Sequence, residues 1–338
     1  MNSSIDFYVP IIDNYGDIGF ALNLALNMTS ESKNLKVRFF SDNEELFNKM
    51  IGDNGKEKIT FLNINELNNH IPSKNIFTFF DYRLSNDYLK KGETNKTIIQ
   101  FGYFLLHKGV ENLHGTTYEI NGDKYIHFIP SLIKNTGGII INKIKTRGDI
   151  KENYLNYINK KYNLKLSKNL ANNKWVSVFV YKDSLSEILK SIKHRNDEVF
   201  FIFDYENNYK SESNNLFFMP FLELLDFNEL LSICDINFVR GENSLCTSLA
   251  YGKPTLWDIY KEKNGAHNEK LDDFLKFVGD FGINLDILRF FNSSQKNEAI
   301  NSFLDKQDFH NLFKFLGNYI EQNCNLLTEL KKILKINF

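Results

Sequence analysis

Residues 236–260, INFVRGENSLCTSLAYGKPTLWDIY, pass from a short β-branched and aromatic run (236–239) through the polar turn Arg240-Gly241-Glu242-Asn243-Ser244. They continue into an apolar helix (244–251) and end in a second strand (255–257). A strand, a crossover helix and a following strand at this spacing form one βαβ unit, and such units assemble into parallel sheets. The alternation extends outward on both sides. Residues 175–181, 198–203 and 215–218 read as strands, with helices at 184–193, 227–234 and 267–278. Upstream, strands are expected at 5–12, 35–40, 59–62, 76–80, 97–101 and 125–129, with a helix after Ile18 carrying Phe20, Leu22, Leu24, Ala25 and Met28. The class is α/β. The charged stretch NKIKTRGDIKE at 142–152 lacks apolar clustering and divides the alternation into two domains, 1–148 and 149–315. A long helix near 309–334 supplies a third segment, 316–338, placed to return to the first domain.

Composition narrows the function classes. The chain has 338 residues, with 41 Lys+Arg against 42 Asp+Glu, and this balance disfavours a nucleic-acid or membrane-surface binder driven by bulk charge. Its apolar runs fall short of the roughly 18 residues that span a bilayer. The start MNSSIDFYVP does not have the pattern of a secretory signal, so a cytoplasmic location is expected. Cys234, Cys246 and Cys324 lack metal-site spacing and are odd in number, so buried free thiols are expected. The seven histidines do not cluster, and no Asp-x-Asp closes a strand; no metal and no resident cofactor are expected. Arginine is scarce, at six residues, which gives each planar guanidinium extra interest.

In open parallel sheets ligands bind beyond the carboxyl ends of strands. Two loops there carry chemistry. The first, Asp13-Asn14-Tyr15-Gly16-Asp17-Ile18-Gly19, places two carboxylates at the open end of the first domain, with two glycines to permit tight turns. Helix capping by Asp17 and an Asx-turn at Asp13 are the simpler reading of the same residues. A dinucleotide site fits poorly, because G-x-G-x-x-G is absent and carboxylates would repel a pyrophosphate. The second loop, 240–244, puts free amides and an arginine at one helix N-terminus, which suits an anion; a plain N-cap at Asn243 or Ser244 is the alternative. Glu242 does not suit phosphate contact and fits sugar hydroxyls or the acceptor better. Phe179 and Tyr181 share one side of a strand, where they would either clamp a nucleobase or pack in the core. His267 reads as a structural histidine.

Taken together, VPIIDNYGDIG, INFVRGENS, YGKPTLWDIY and AHNEKLDDFL, in this order, resemble the bacterial protein-arginine rhamnosyltransferases that modify translation elongation factor P. FMPFLELLDFNELLSICD (218–235) and Asn-Thr-Gly-Gly at 135–138 also look like segments of that family. The resemblance implies a GT-B glycosyltransferase, with two Rossmann-like domains whose parallel sheets face across a cleft. It further implies dTDP-β-L-rhamnose as donor, inversion at the anomeric carbon, and elongation factor P as the protein acceptor held by the first domain, with neither nucleic acid nor membrane as partner. On matching positions, Asp13, Asp17 and Glu242 would be catalytic. Phe179, Tyr181 and Phe227 would enclose thymine and deoxyribose; Arg240, Asn243 and Ser244 would meet the diphosphate; and Tyr260 would be a further donor contact. Leu22-Asn23 differ from the family's usual Trp-Arg. Two other readings stay open on the residues alone: a GT-B enzyme with a lipid or polysaccharide acceptor, and a nucleotide-sugar-binding module without turnover.

Overall fold

The computed structural model describes residues 3–10, 14–53, 55–142, 150–204, 209, 213–261, 265–293, 296–306 and 309–334. The chain divides into two compact units. The first comprises Met1–Ile141, Glu223–Leu225 and Glu321–Phe338, and the second comprises Asn142–Leu222 and Asp226–Ile320.

In the first unit β1 (Ser3–Tyr8), α1 (Asn14–Glu31), β2 (Leu35–Ser41), α2 (Glu44–Ile51) and β3 (Ile59–Asn63) are followed by β4 (Asn75–Phe79), α3 (Asn86–Leu89) and β5 (Thr97–Phe101), then by β6 (Thr117–Ile120) and β7 (Asp123–Phe128). The sheet order is β3-β2-β1-β4-β5-β7-β6, parallel except where β6 pairs antiparallel with β7. Strand order therefore reverses between β1 and β4, which opens a crevice at their carboxyl ends. Phenylalanines one residue out of two hold one face together: Phe7 and Phe77 stack at 5.0 Å, Phe79 and Phe101 at 4.8 Å, and Phe101 meets Phe128 at 4.7 Å. On the other face, Asp6 is fully buried yet satisfied. Arg38 Nε and Nη2 both donate to it at 2.7 Å, and the Ser73 N–H and Tyr8 hydroxyl add to the set.

The second unit runs α4 (Ile150–Tyr162), β8 (Lys174–Val178), α5 (Lys182–Ile192), β9 (Glu198–Ile202), β10 (Leu216–Phe218), α6 (Leu224–Ile233), β11 (Ile236–Arg240), α7 (Gly241–Ala250) and β12 (Thr255–Asp258). Helices α8 (Ala266–Gly279), α9 (Ile287–Phe291), α10 (Lys296–Asp305) and α11 (Phe309–Asn323) follow, and α12 (Leu326–Leu334) belongs to the first unit. The sheet is wholly parallel in the order β10-β9-β8-β11-β12, with its reversal between β8 and β11. Continuous burial along β8 and β9 matches a sheet covered on both faces.

Several expectations change. The 5–12 strand is Ser3–Tyr8, and residues 11–13 lie outside the described residues. Gly16 and Gly19 fall within α1, so neither serves a loop turn. The hairpin β6–β7 was signalled by Asn121-Gly122, both at positive φ, the usual two-residue turn between twisted strands. The single C-terminal helix is two. The chain breaks at Cys324-Asn325, where the Ile139 N–H donates to the Cys324 carbonyl at 2.7 Å and the Leu326 N–H to the Ile139 carbonyl at 3.0 Å. Gly138, at φ +67°, permits this approach, since a Cβ there would fall on the Cys324 carbonyl.

Candidate functional site

The second unit gathers most of the expected side chains at its reversal point. Phe179 follows β8 and keeps the ladder going, its N–H donating to the Phe238 carbonyl at 2.8 Å. Two residues on, Tyr181 is the N-cap of α5. Arg240 ends β11, and Gly241 turns the chain directly into α7 at φ +66°, a conformation that costs an L-residue roughly 1–2 kcal/mol. A side chain at 241 would meet open space, so the backbone angle rather than room selects glycine there. This turn aims Arg240 across the strand ends. Its guanidinium carbon lies 4.5 Å from the Phe179 ring centre and 5.1 Å from that of Tyr181. Phe227, from α6, meets Phe179 edge-on at 5.1 Å, and Tyr260 meets Tyr181 at 5.6 Å while remaining 63% exposed. Phe179, Tyr181, Phe227, Arg240 and Tyr260 thus form one contact chain at a single sheet edge.

Two helices, α5 and α7, begin at this edge without a side-chain cap of their own. Their electrostatics differ. The buried Asp258 carboxylate, at the end of β12, accepts from the Tyr181 N–H at 2.8 Å and from the Ser184 hydroxyl at 2.8 Å, so the start of α5 already holds an anion. Burial raises the Asp258 pKa, and the Lys296 ammonium 3.8 Å away opposes that rise. The first turn of α7 contains Glu242, Asn243 and Ser244. Ser244 is buried, and its hydroxyl donates back to the Arg240 carbonyl, so its proton is committed within the helix. Glu242 is partly exposed and pairs with Lys270 of α8 at 3.1 Å. Asn243 is half-buried. Of the two starts, α7 with Arg240 is the one arranged to receive an added anion.

Residues that sequence reasoning missed hold this cluster in place. Asp226, one residue before Phe227, is buried and accepts from Tyr157 at 3.0 Å, Lys161 at 2.6 Å and Tyr162 at 2.6 Å, all on α4; the Tyr154 hydroxyl takes its carbonyl. This pins the first turn of α6, and with it Phe227. Asn292 fixes the end of β12 by donating to the Trp257 carbonyl and accepting from the Ile259 N–H.

In the first unit Asp17 lies in the first turn of α1, at the β1/β4 reversal, and is buried. Its charge is favourable beside the amides there. Asp13 lies outside the described residues. Leu22 and Asn23 are both fully buried on α1, and Asn27 donates to Asn23 Oδ1 at 3.1 Å. Among the described residues no group of three or more His, Cys, Asp or Glu is placed to hold a metal ion, and no helix is long and apolar enough to cross a membrane.

Comparison with known proteins accords with this architecture. Residues 5–334 match the family model described as Elongation-Factor P (EF-P) rhamnosyltransferase EarP. A protein-arginine rhamnosyltransferase of Shewanella oneidensis is 23% identical over 319 residues, covering 81% of this chain and 80% of that one. Among solved structures, one of EarP-mediated arginine glycosylation of translation elongation factor EF-P aligns over 98% of this chain and 99% of its own, with TM-score 0.59 and 16% identity. The spinosyn rhamnosyltransferase SpnG complexed with thymidine diphosphate aligns over 98% and 100%, with TM-score 0.57 and 9% identity. These likenesses give the fold as GT-B. With the family model spanning nearly the whole sequence, the chain belongs to the EarP family and is a protein-arginine rhamnosyltransferase, a glycosyltransferase enzyme.

Proposed function

We propose that the chain moves L-rhamnose from dTDP-β-L-rhamnose to an arginine side chain of translation elongation factor P, with inversion at the anomeric carbon and without a metal. The observation that carries the donor half is the convergence of Arg240 and the open start of α7 on the rings of Phe179 and Tyr181. A cation and helix amides suit a diphosphate, and flat aromatic faces beside them suit a pyrimidine base. Family membership supports the acceptor half.

In this reading Phe179, Tyr181 and Phe227 enclose thymine and deoxyribose, and Tyr260 adds a donor contact. Arg240, Asn243 and the α7 amides stabilise the diphosphate as it leaves, with Ser244 shaping the turn that presents them. Asp13 and Asp17 grip the acceptor guanidinium, with Asp17 accepting its proton, and Glu242 serves the sugar and acceptor. A guanidinium with pKa above about 12 cannot simply give its proton to a carboxylate of the ordinary type near 3.9. The gap, about nine units, amounts to roughly 12 kcal/mol. Proton loss must therefore accompany C–N bond formation.

Mass spectrometry of elongation factor P after incubation with the enzyme and dTDP-β-L-rhamnose tests this directly. A deoxyhexose on one arginine is expected; an unmodified acceptor under conditions where dTDP binds would refute the reading.

A further inference from the structure

The α7 start presents a charge conflict. Glu242 lies in the first turn of the helix whose amides, with Arg240, are assigned to the diphosphate. A carboxylate there opposes a second anion, and one arginine does not offset both. Lys270 answers this conflict. It projects from the second turn of α8, its Nζ lies 3.1 Å from Glu242 Oε1, and the two side chains are about equally exposed, at 40% and 35%.

We propose that Lys270 is a positioning residue of the donor site, which ties down Glu242 and neutralises it so that the diphosphate and the carboxylate share one helix start. The inference rests on the donor reading above and adds a residue that reading does not use. Lys270 acts through Glu242: it holds the carboxylate aside from the phosphates, oriented toward sugar and acceptor. An exposed ion pair with a purely structural role contributes little to stability and leaves ligand affinity unchanged. The proposal requires the opposite pattern, a small effect on stability and a clear one on dTDP binding.

The test is calorimetric titration of dTDP into the full-length enzyme and its variants, with thermal unfolding to confirm folding. Lys270→Met should weaken dTDP binding about ten-fold at low salt, and Lys270→Arg should restore most of it. Glu242→Gln should bind dTDP at least as well as the wild type, and adding Lys270→Met to Glu242→Gln should then change affinity less than two-fold, as expected for coupled partners. Steady-state kinetics on Lys270→Met should show the loss in donor KM more than in kcat. Unchanged affinity in Lys270→Met, with Arg240→Gln still weakened, would overturn the role of Lys270 alone. Equal losses with and without Glu242 would also overturn it, because the lysine would then act on the phosphates directly. If Arg240→Gln also bound dTDP normally, the donor reading itself would fail.

Discussion

Replacing Asp258 by asparagine isolates the charge that closes the start of α5. The carboxamide can still accept the Tyr181 N–H and stay within reach of the Ser184 hydroxyl, so the hydrogen bonds largely survive while the negative charge is lost. Lys296, 4% exposed, is left as a buried cation. Removing one partner of a buried pair costs about 3–5 kcal/mol, and the lower end applies because Lys296 Nζ also donates to the Phe291 carbonyl at 2.5 Å. The assay is urea unfolding followed by tryptophan fluorescence. Both tryptophans, Trp175 and Trp257, are buried in the second unit, so the signal reports that unit. Burial lowers the Lys296 pKa from 10.5, and Asp258 opposes that fall. Without Asp258 it falls further, so between the folded value and 10.5 the unfolded chain binds more protons and the variant gains stability as pH rises. The deficit should be near 3 kcal/mol around pH 7 and shrink toward about pH 10. A deficit below about 1 kcal/mol at neutral pH, or one independent of pH, would refute the reasoning.

Asp17→Asn should abolish rhamnosyl transfer, read by mass spectrometry, while calorimetric dTDP binding and the fold are retained; normal turnover would remove Asp17 from the mechanism. Gly138→Val should pry the 324–326 segment from Ile139, because φ +67° and the Cys324 carbonyl both exclude a side chain. Thiol labelling of Cys324, buried in the wild type, should then accelerate at least about ten-fold, corresponding to a local loss of more than about 1.4 kcal/mol. Burial lowers the pKa values of His114 and His310, against the pull of Glu329 and Asp235 respectively. Below about 6.5 the unfolded chain takes up protons that the folded one refuses, so stability should fall as pH drops through that range, and His114→Gln with His310→Gln should flatten the slope in urea titrations.

The βαβ alternation was legible because apolar strands and their crossover helices are local patterns. Residues 236–260 contain a whole unit, and the turn at Arg240-Gly241 follows from chemistry within five residues. The aromatic pair Phe179 and Tyr181 was legible by residue type but not by strand parity: β8 ends at Val178 and Tyr181 is the N-cap of α5, and it is Arg240 that meets both rings. Asp226 was not legible, because its meaning comes from Tyr157, Lys161 and Tyr162, which lie 64–69 residues earlier. Asp258 with Lys296 and Glu242 with Lys270 likewise depend on the order in which helices pack. Lys270, Asp258 and Lys296 each read in sequence as one more solvated charge, whereas Glu242 stood out by its place in the 240–244 turn but without its partner. The hairpin at Asn121-Gly122 was legible and missed, because β6 is short and exposed throughout and so carries no apolar alternation. The break at Cys324-Asn325 has no local signal of comparable strength; its backbone partner is Ile139, and Gly138, the glycine that permits the approach, is distant in sequence.

The requirement placed on Asp13 and Asp17 can be judged against a guanidinium this chain already holds. Asp6 takes Arg38 through Nε and Nη2, which leaves Nη1 outside the bidentate grip. For Arg38, burial pulls the pKa down, but the hydrogen bonds and charge of Asp6 outweigh it and hold the group above its ordinary value. A carboxylate that grips an arginine thus makes it a worse nucleophile before reaction, while fixing its plane and freeing one nitrogen. If the acceptor is held in the same way, gripping provides orientation, and activation must come from proton transfer late in bond formation. The consequence is kinetic. Below saturation in acceptor, a mechanism that first forms neutral guanidine would gain about ten-fold in rate per pH unit up to the guanidinium pKa. Coupled transfer predicts a nearly flat profile from about pH 7.5 to about pH 9.5, once the carboxylates are ionised and before tyrosines and lysines titrate. A log-linear rise of unit slope across that window, with dTDP affinity unchanged, would show that free guanidine is the attacking species and that Asp17 does not receive its proton in the bond-forming step.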